Sequence, residues 1–365
     1  MEKNRQYSLD LLRILSMMGI MMLHALGQGG LLQAAPYSSS KHWLFWGLEI
    51  LAYCSVNVFA LMSGYLGYGS KKLKSYRVFE LLSTVLVHSI LLTGIFYIFS
   101  PGLFHGVKDI LKAFLPMITG RYWYITCYIP VLLLSPFLNL LMESISLKYH
   151  RLLCILNLIL FSFIPSILMH DYFQFADGYS FAWLMVLYLC GGYMKRTPAQ
   201  YKKPLIYIGL YFLLGAALTM GNFIIDQANS STAKYLISYT SPVVVAMAWV
   251  LVRWAMTLSI NEIPKVVRVI LYWGSATAFD VYILHAHTLV FNYIIGNNLS
   301  VLSAKSIYII PLLLFSIILI SYTFLGIVGW IRIKLFKAIK LEAIFDNITK
   351  SKLSFSLFSN NEQSI

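Results

Sequence analysis

From Tyr7 to Gly27 the chain runs through a stretch apolar enough to cross a bilayer, yet it carries Asp10, Arg13 and His24. A charge at the centre of a spanning helix costs about 3 kcal/mol on insertion scales, so such groups face a protein interior or a wet cavity rather than lipid. The spacing sharpens this constraint. Arg13 and His24 are about three helical turns apart, which puts them on one face within roughly 20° and separates them by about 16 Å along the axis. That distance is roughly half of the hydrocarbon thickness. Asp10 sits one turn before Arg13 and can pair with it at i, i+3. The helix therefore presents a cation near one membrane surface and a titratable imidazole near the other, and the rest of the fold must cover both.

Hydrophobic residues make up 59% of the 365 and charged residues 12%, where soluble domains carry about 25% charged. This excludes a soluble fold and predicts an all-α, polytopic integral membrane protein of about ten transmembrane helices. The expected spans are 8–27, 43–66, 79–99, 122–142, 152–168, 180–194, 204–225, 235–258, 276–295 and 306–332, with 180–194 the shortest. Two amphipathic pieces, Val107–Ile118 and Pro264–Trp273, are too polar or too short to span and are expected at the interface. Residues 1–340 form the transmembrane domain, and 341–365 a polar cytoplasmic tail. No cleavable signal is visible, because the first apolar stretch outruns signal-peptide length. The excess of 28 Lys+Arg over 14 Asp+Glu is topology information rather than a nucleic-acid surface. With the N-terminus inside, 21 basic residues fall on the cytoplasmic side and 6 outside, leaving Arg13 in the membrane. Cys54, Cys127, Cys154 and Cys190 lie in apolar segments and are expected as small buried hydrophobes rather than disulfides or metal ligands. No metal-ligand spacing is present.

Three further stretches carry chemistry. The second span ends Ser63-Gly64-Tyr65 at the cytoplasmic surface, followed by Lys71, Lys72, Lys74 and Arg77. Small residues permit either close helix contact or close approach of a ligand, and the cations suit either topology or a phosphate group. The fourth span opens with Arg121, Trp123, Tyr124 and Tyr128, which fits an aromatic belt or a platform for stacking a sugar. The ninth holds Asp280, Tyr282, His285 and His287. Asp280 is expected to neutralise a cation on a neighbouring helix such as Arg13. His285 and His287 are i, i+2 and cannot face the same way on a helix. Asn57, His88, Asn139 and Asn157 are expected as interhelical hydrogen-bond partners.

Arginine, ten residues, then histidine in a first membrane helix, preceded by Leu9-Asp10, resembles the membrane-bound acyltransferase 3 family. Phe59-x-Leu61-Met62-Ser63-Gly64-Tyr65-Leu66 with basic residues after it is similar to the family's second motif. Tyr282-Ile283-Leu284-His285 is similar to its late signature, although Ala286 stands where a proline usually follows. Trp123-Tyr124-Ile125 departs modestly from the family's tryptophan-phenylalanine-leucine. The resemblance implies transfer of an acyl group, usually acetyl, from cytoplasmic acyl-CoA to a hydroxyl of an extracytoplasmic polysaccharide, cell-wall glycan or lipid-linked sugar. It implies His24 as base or transient acyl acceptor, Arg13 as donor anchor or helix-positioning cation, and Tyr282 and His285 in support. Arg13, Ser63, Lys71, Lys72, Lys74 and Arg77 are then the candidates for acetyl-CoA, and Arg121, Trp123 and Tyr124 for the acceptor. The lipid bilayer of the cell membrane is the remaining partner, with neither metal nor nucleic acid. The chemistry is compatible, since ester formation needs a base near neutral pH and a stabiliser for the oxyanion. A transporter or flippase would use similar intramembrane residues. A glycan polymerase usually adds a large outer loop, and a non-catalytic sensor stays open.

The charge asymmetry predicts that both termini are cytoplasmic. A membrane-impermeant label should reach tags at Met1 and Ile365 only after the cells are opened, and labelling of either tag on intact cells would overturn this orientation.

Overall fold

The computed structural model describes residues 5–71, 75–117, 119, 122–199, 203–228, 236–258 and 263–352. The chain is 80% helical, and no strand occurs among the described residues. Each of the ten expected stretches carries a helix. Eight helical stretches among the described residues are long and apolar enough to cross a membrane: Tyr7–Leu26, Ser40–Gly67, Ser75–Phe99, Trp123–Ser144, Leu147–Leu168, Pro204–Ile225, Lys265–His285 and Ile310–Ala338. Two shorter helices, Phe181–Arg196 and Pro242–Thr257, complete the bundle. They can be short because most of their surface is buried against other helices rather than lipid.

The helix ends lie within about five residues of the expected spans except at the eighth, which begins at Pro242 rather than 235, the tenth, which runs to Ala338 rather than 332, and the ninth. Pro264–Trp273, expected at the interface, instead opens the helix Lys265–His285, which then stops about ten residues earlier than anticipated. Pro264 is the N-cap of that helix, and a proline just ahead of a first turn needs no amide donor. Val107–Ile118 holds a short helix, Val107–Leu111, followed by turns. In the tail, Leu341–Lys352 is helical, and Phe345 packs on Phe79 and Tyr76 of the third long helix.

The first helix lies centrally, touching Ser40–Tyr53, Ser55–Gly67, Pro242–Thr257, Lys265–His285 and Ile310–Ala338. Its Asp10 accepts hydrogen bonds from Arg5 at 2.6 Å and from Ser275 at 2.7 Å. Arg13 donates to Ser275 at 2.8 Å and lies 3.8 Å from Asp10. Asp280 therefore does not serve Arg13. It accepts two hydrogen bonds from Arg332, at 2.8 and 2.6 Å, and a third from His88 Nε2 at 2.7 Å. The geometric reason is the helical repeat, because five residues turn Asp280 about 140° away from Ser275, toward Ile310–Ala338 and Ser75–Phe99. Arg332 and Arg253, counted among cytoplasmic charges, are both buried. Arg253 donates to the Thr197 and Met194 carbonyls, and Arg196 to those of Met142 and Ile145, groups that a helix C-terminus leaves unpaired.

Small residues draw two helices together. A Cβ on Gly64 would run into the Tyr188 carbonyl, and one on Gly191 into that of Leu61, so Ser55–Gly67 and Phe181–Arg196 pack backbone to backbone. Asn57 donates to the Tyr239 carbonyl and accepts from Trp183; Asn139 donates to the Gly67 and Ser70 carbonyls. Both act between helices or loops as expected, whereas Asn157 bonds Leu153 within its own helix. Cys54, Cys154 and Cys190 are buried and Cys127 is half-buried, all as free thiols.

Removing one partner of a buried ion pair leaves an uncompensated charge and costs about 3–5 kcal/mol. Asp280→Asn should accordingly lower thermal stability in detergent steeply, and Asp280→Asn/Arg332→Gln should recover part of the loss. A melting temperature unchanged in Asp280→Asn would contradict the pairing.

Candidate active site

His24 and His285 each occupy the last turn of a helix, and the loops that follow tie those ends together. Asn297 donates its amide to the Gln28 carbonyl at 2.9 Å, and Leu299 to Gly29 at 3.1 Å. Gly30 makes the turn at φ +87°, where a side chain would be strained and would also meet Asn297. Held in this way, the two imidazoles lie with ring centroids 4.9 Å apart, and Phe291 contacts His24 edge-on at the same distance.

The nitrogens can be told apart by their partners. His285 Nδ1 lies 2.7 Å from the Val281 carbonyl, so Nδ1 carries a proton and Nε2 offers a lone pair. His285 Nε2 and His24 Nδ1 are both buried and lack a hydrogen-bond partner among the described residues. The two imidazoles are thus packed side by side, each with one buried ring nitrogen that the described residues leave unanswered. His287 faces elsewhere, its ring 6.2 Å from Tyr122.

Two cavities meet at His24. The larger, about 790 Å³, runs from Arg5, Arg13, Arg77 and Lys195 past Ser63 and Tyr128 to His24, Trp123, Tyr239 and Tyr282. The smaller, about 370 Å³, shares the last four residues and continues to Gln28, Glu49, Tyr53, Tyr179 and Thr288. Five cations (Arg5, Arg13, Arg77, Lys195 and Arg332) and two carboxylates (Asp10 and Glu80) line the first, so its far end suits a polyanion. The second is walled by aromatic rings: Trp123 stacks on Tyr239 at 5.7 Å and contacts Tyr179 at 4.5 Å.

The structure thus brings together most of the candidate residues. Arg13, Ser63 and Arg77 line the larger cavity together with Tyr124; His24, Trp123 and Tyr282 line both. Ser63 Oγ lies 2.7 Å from the Tyr128 hydroxyl, while its neighbour Gly64 makes the helix contact, so the motif serves packing and cavity at once. Lys71 stands apart, exposed and 3.7 Å from Glu143. Lys72, Lys74 and Arg121 lie outside the described residues. Sequence reasoning passed over Lys195, which sits 4.6 Å over the Tyr65 ring, because it looked like one more topology charge. It also passed over Glu49, Tyr179 and Tyr239. Glu49 carried a legible signal as a lone carboxylate in an apolar span; Tyr179 and Tyr239 sit outside the regular helices and carried none. Among the described residues, no group of three or more His, Cys, Asp or Glu side chains could hold a metal ion.

Residues 6–326 match the sequence model of the acyltransferase 3 family, described as an acyltransferase domain. Searches of curated proteins and of solved structures gave no match.

Proposed function

We propose, from the premise that the chain belongs to the acyltransferase 3 family and is a multi-pass membrane acyltransferase, that it is an O-acyltransferase of the cell membrane. It takes an acyl group, acetyl in the first instance, from cytoplasmic acyl-CoA and gives it to a hydroxyl of an extracytoplasmic polysaccharide, cell-wall glycan or lipid-linked sugar. The observation that carries this reading is the junction of two cavities of opposite character at one histidine. A nucleotide thioester is a polyanion on a long arm, and the larger cavity offers cations at one end and His24 at the other. A glycan offers hydroxyls and apolar ring faces, and the smaller cavity offers aromatic rings and polar groups.

In the step itself, His24 Nε2 accepts the proton of the acceptor hydroxyl as its oxygen attacks the thioester carbonyl. The C–O bond forms, the C–S bond breaks, and the proton passes to the departing thiolate, so atoms and charge balance. Tyr282, which borders both cavities, donates to the oxyanion. His285 acts through His24 as a positioning residue, its ring packed 4.9 Å from that of His24 and holding the imidazole at the cavity junction. Direct attack of this kind requires both substrates at His24 together, which the shared boundary permits.

Two outcomes test the reading. The double variant Arg77→Gln/Lys195→Gln should bind acetyl-CoA about tenfold more weakly or worse, since hydrogen bonds to charged groups contribute about 1.5–3 kcal/mol. Lys71→Gln should bind it as the wild type does, because Lys71 faces Glu143 instead. Calorimetry on the protein in detergent decides between them, and equal affinity in wild type and double variant would contradict the assigned donor end. His24→Gln keeps a hydrogen-bonding group but cannot titrate, so kcat for ester formation should fall by about 10²–10⁴ with donor affinity retained. Near-normal turnover per folded molecule would rule His24 out as the base.

A further inference from the structure

Glu49 is the carboxylate that the architecture leaves unexplained. It sits within the apolar helix Ser40–Tyr53, is 8% exposed, and its Oε2 is buried without a hydrogen-bond partner among the described residues. Among the described residues the other two buried carboxylates are engaged, Asp10 by Arg5 and Ser275 and Asp280 by Arg332 and His88. A carboxyl held in an apolar span without a partner is costly, so its presence calls for a donor that arrives from outside the chain. The space it borders is the smaller cavity, on the far side of His24 from the cationic end.

The walls around it say what kind of donor. Tyr53, Trp123, Tyr179 and Tyr239 form one aromatic cluster, with Tyr239 4.8 Å from Tyr53 and 5.0 Å from Tyr179. Aromatic faces take the apolar C–H face of a ring, and a carboxyl group exchanges hydrogen bonds with hydroxyls at its edge. At about 370 Å³ the cavity lies at the small end of the ~300–1,000 Å³ range of ligand pockets, a size for a sugar unit rather than a long acyl chain. We infer that Glu49 is an acceptor-recognition residue: its carboxyl group exchanges hydrogen bonds with hydroxyls of a sugar ring stacked on this cluster, and so selects which hydroxyl meets His24. The inference rests on the acyltransferase reading above and adds to it the side chain that chooses the acceptor.

The test uses the full-length protein in detergent with acetyl-CoA as donor. Two p-nitrophenyl glycosides, of β-glucose and of N-acetyl-β-glucosamine, serve as acceptor probes. Glu49→Ala should raise KM for the glycosides by about tenfold, the loss expected when hydrogen bonds to a ligand are left unmade, while KM for acetyl-CoA stays within about twofold. Glu49→Gln, which keeps a hydrogen-bonding edge of the same size, should recover part of the loss. In the wild type, the glycosides should protect Glu49 from modification by dicyclohexylcarbodiimide, a measurement that decides the matter even where a variant folds poorly. Unchanged glycoside KM in Glu49→Ala, or an equal rise in KM for both substrates, overturns the assignment of Glu49 and leaves the acyltransferase reading intact. A wild type that binds acetyl-CoA yet acylates neither glycoside, with Glu49 unprotected by either, overturns the inference together with the sugar-acceptor half of that reading.

Discussion

A charge inside a membrane bundle must be answered by another group, and the way Asp280 is answered sets the geometry of everything around it. Its two oxygens receive Arg332 in a bidentate fashion and His88 from a third helix. Three helices are thereby fixed in register at one buried point. The same helix meets the first helix twice, at Ser275, which bridges Arg13 and Asp10, and at its last turn, where His285 faces His24. One helix thus carries the contacts that align the cationic end of the larger cavity and those that align the imidazoles. Loss of the Asp280 pair would loosen both together.

The cavities exist because other helices approach one another closely. Gly64 against the Tyr188 backbone and Gly191 against Leu61 draw Ser55–Gly67 onto Phe181–Arg196, and the short helices Phe181–Arg196 and Pro242–Thr257 lie largely buried within the bundle. Ser63, next to Gly64, is left facing the larger cavity. Close packing on one side of a helix and open space on the other is how this bundle provides a path across itself without losing its core.

Much of this was readable in the sequence. Apolar runs of spanning length marked the helices, since lipid requires internal satisfaction of the backbone. The three-turn spacing of Arg13 and His24 placed them along one cavity, and Trp123, Tyr124, Tyr282 and His285 border or adjoin it. What escaped the sequence was partner choice. Asp280 looked equally suited to any nearby cation, and only the rotation between Ser275 and Asp280, seen against the neighbouring helices, assigns it Arg332. Arg332 itself lies where an apolar helix gives way to a basic tail, so position alone made it a topology signal. Tyr179 and Tyr239 are brought to Trp123 by chain reversals whose geometry no periodic pattern encodes. Pro264–Trp273 read as interfacial because it carries Lys265 and Arg268 and is too short to span by itself; its continuity with the helix Lys265–His285 makes it the opening of a span.

The central claim is that donor and acceptor reach His24 from opposite ends of one bundle. Proteoliposomes with the protein in a single orientation give the most direct measurement. Acetyl-CoA is supplied on one face and a p-nitrophenyl glycoside is enclosed on the other. Acetylated glycoside should accumulate when the two substrates are separated by the membrane with acetyl-CoA at the face bearing Arg77 and Lys195, and should fail to form when the faces are exchanged. Ester formation only when both substrates share one face would contradict the account.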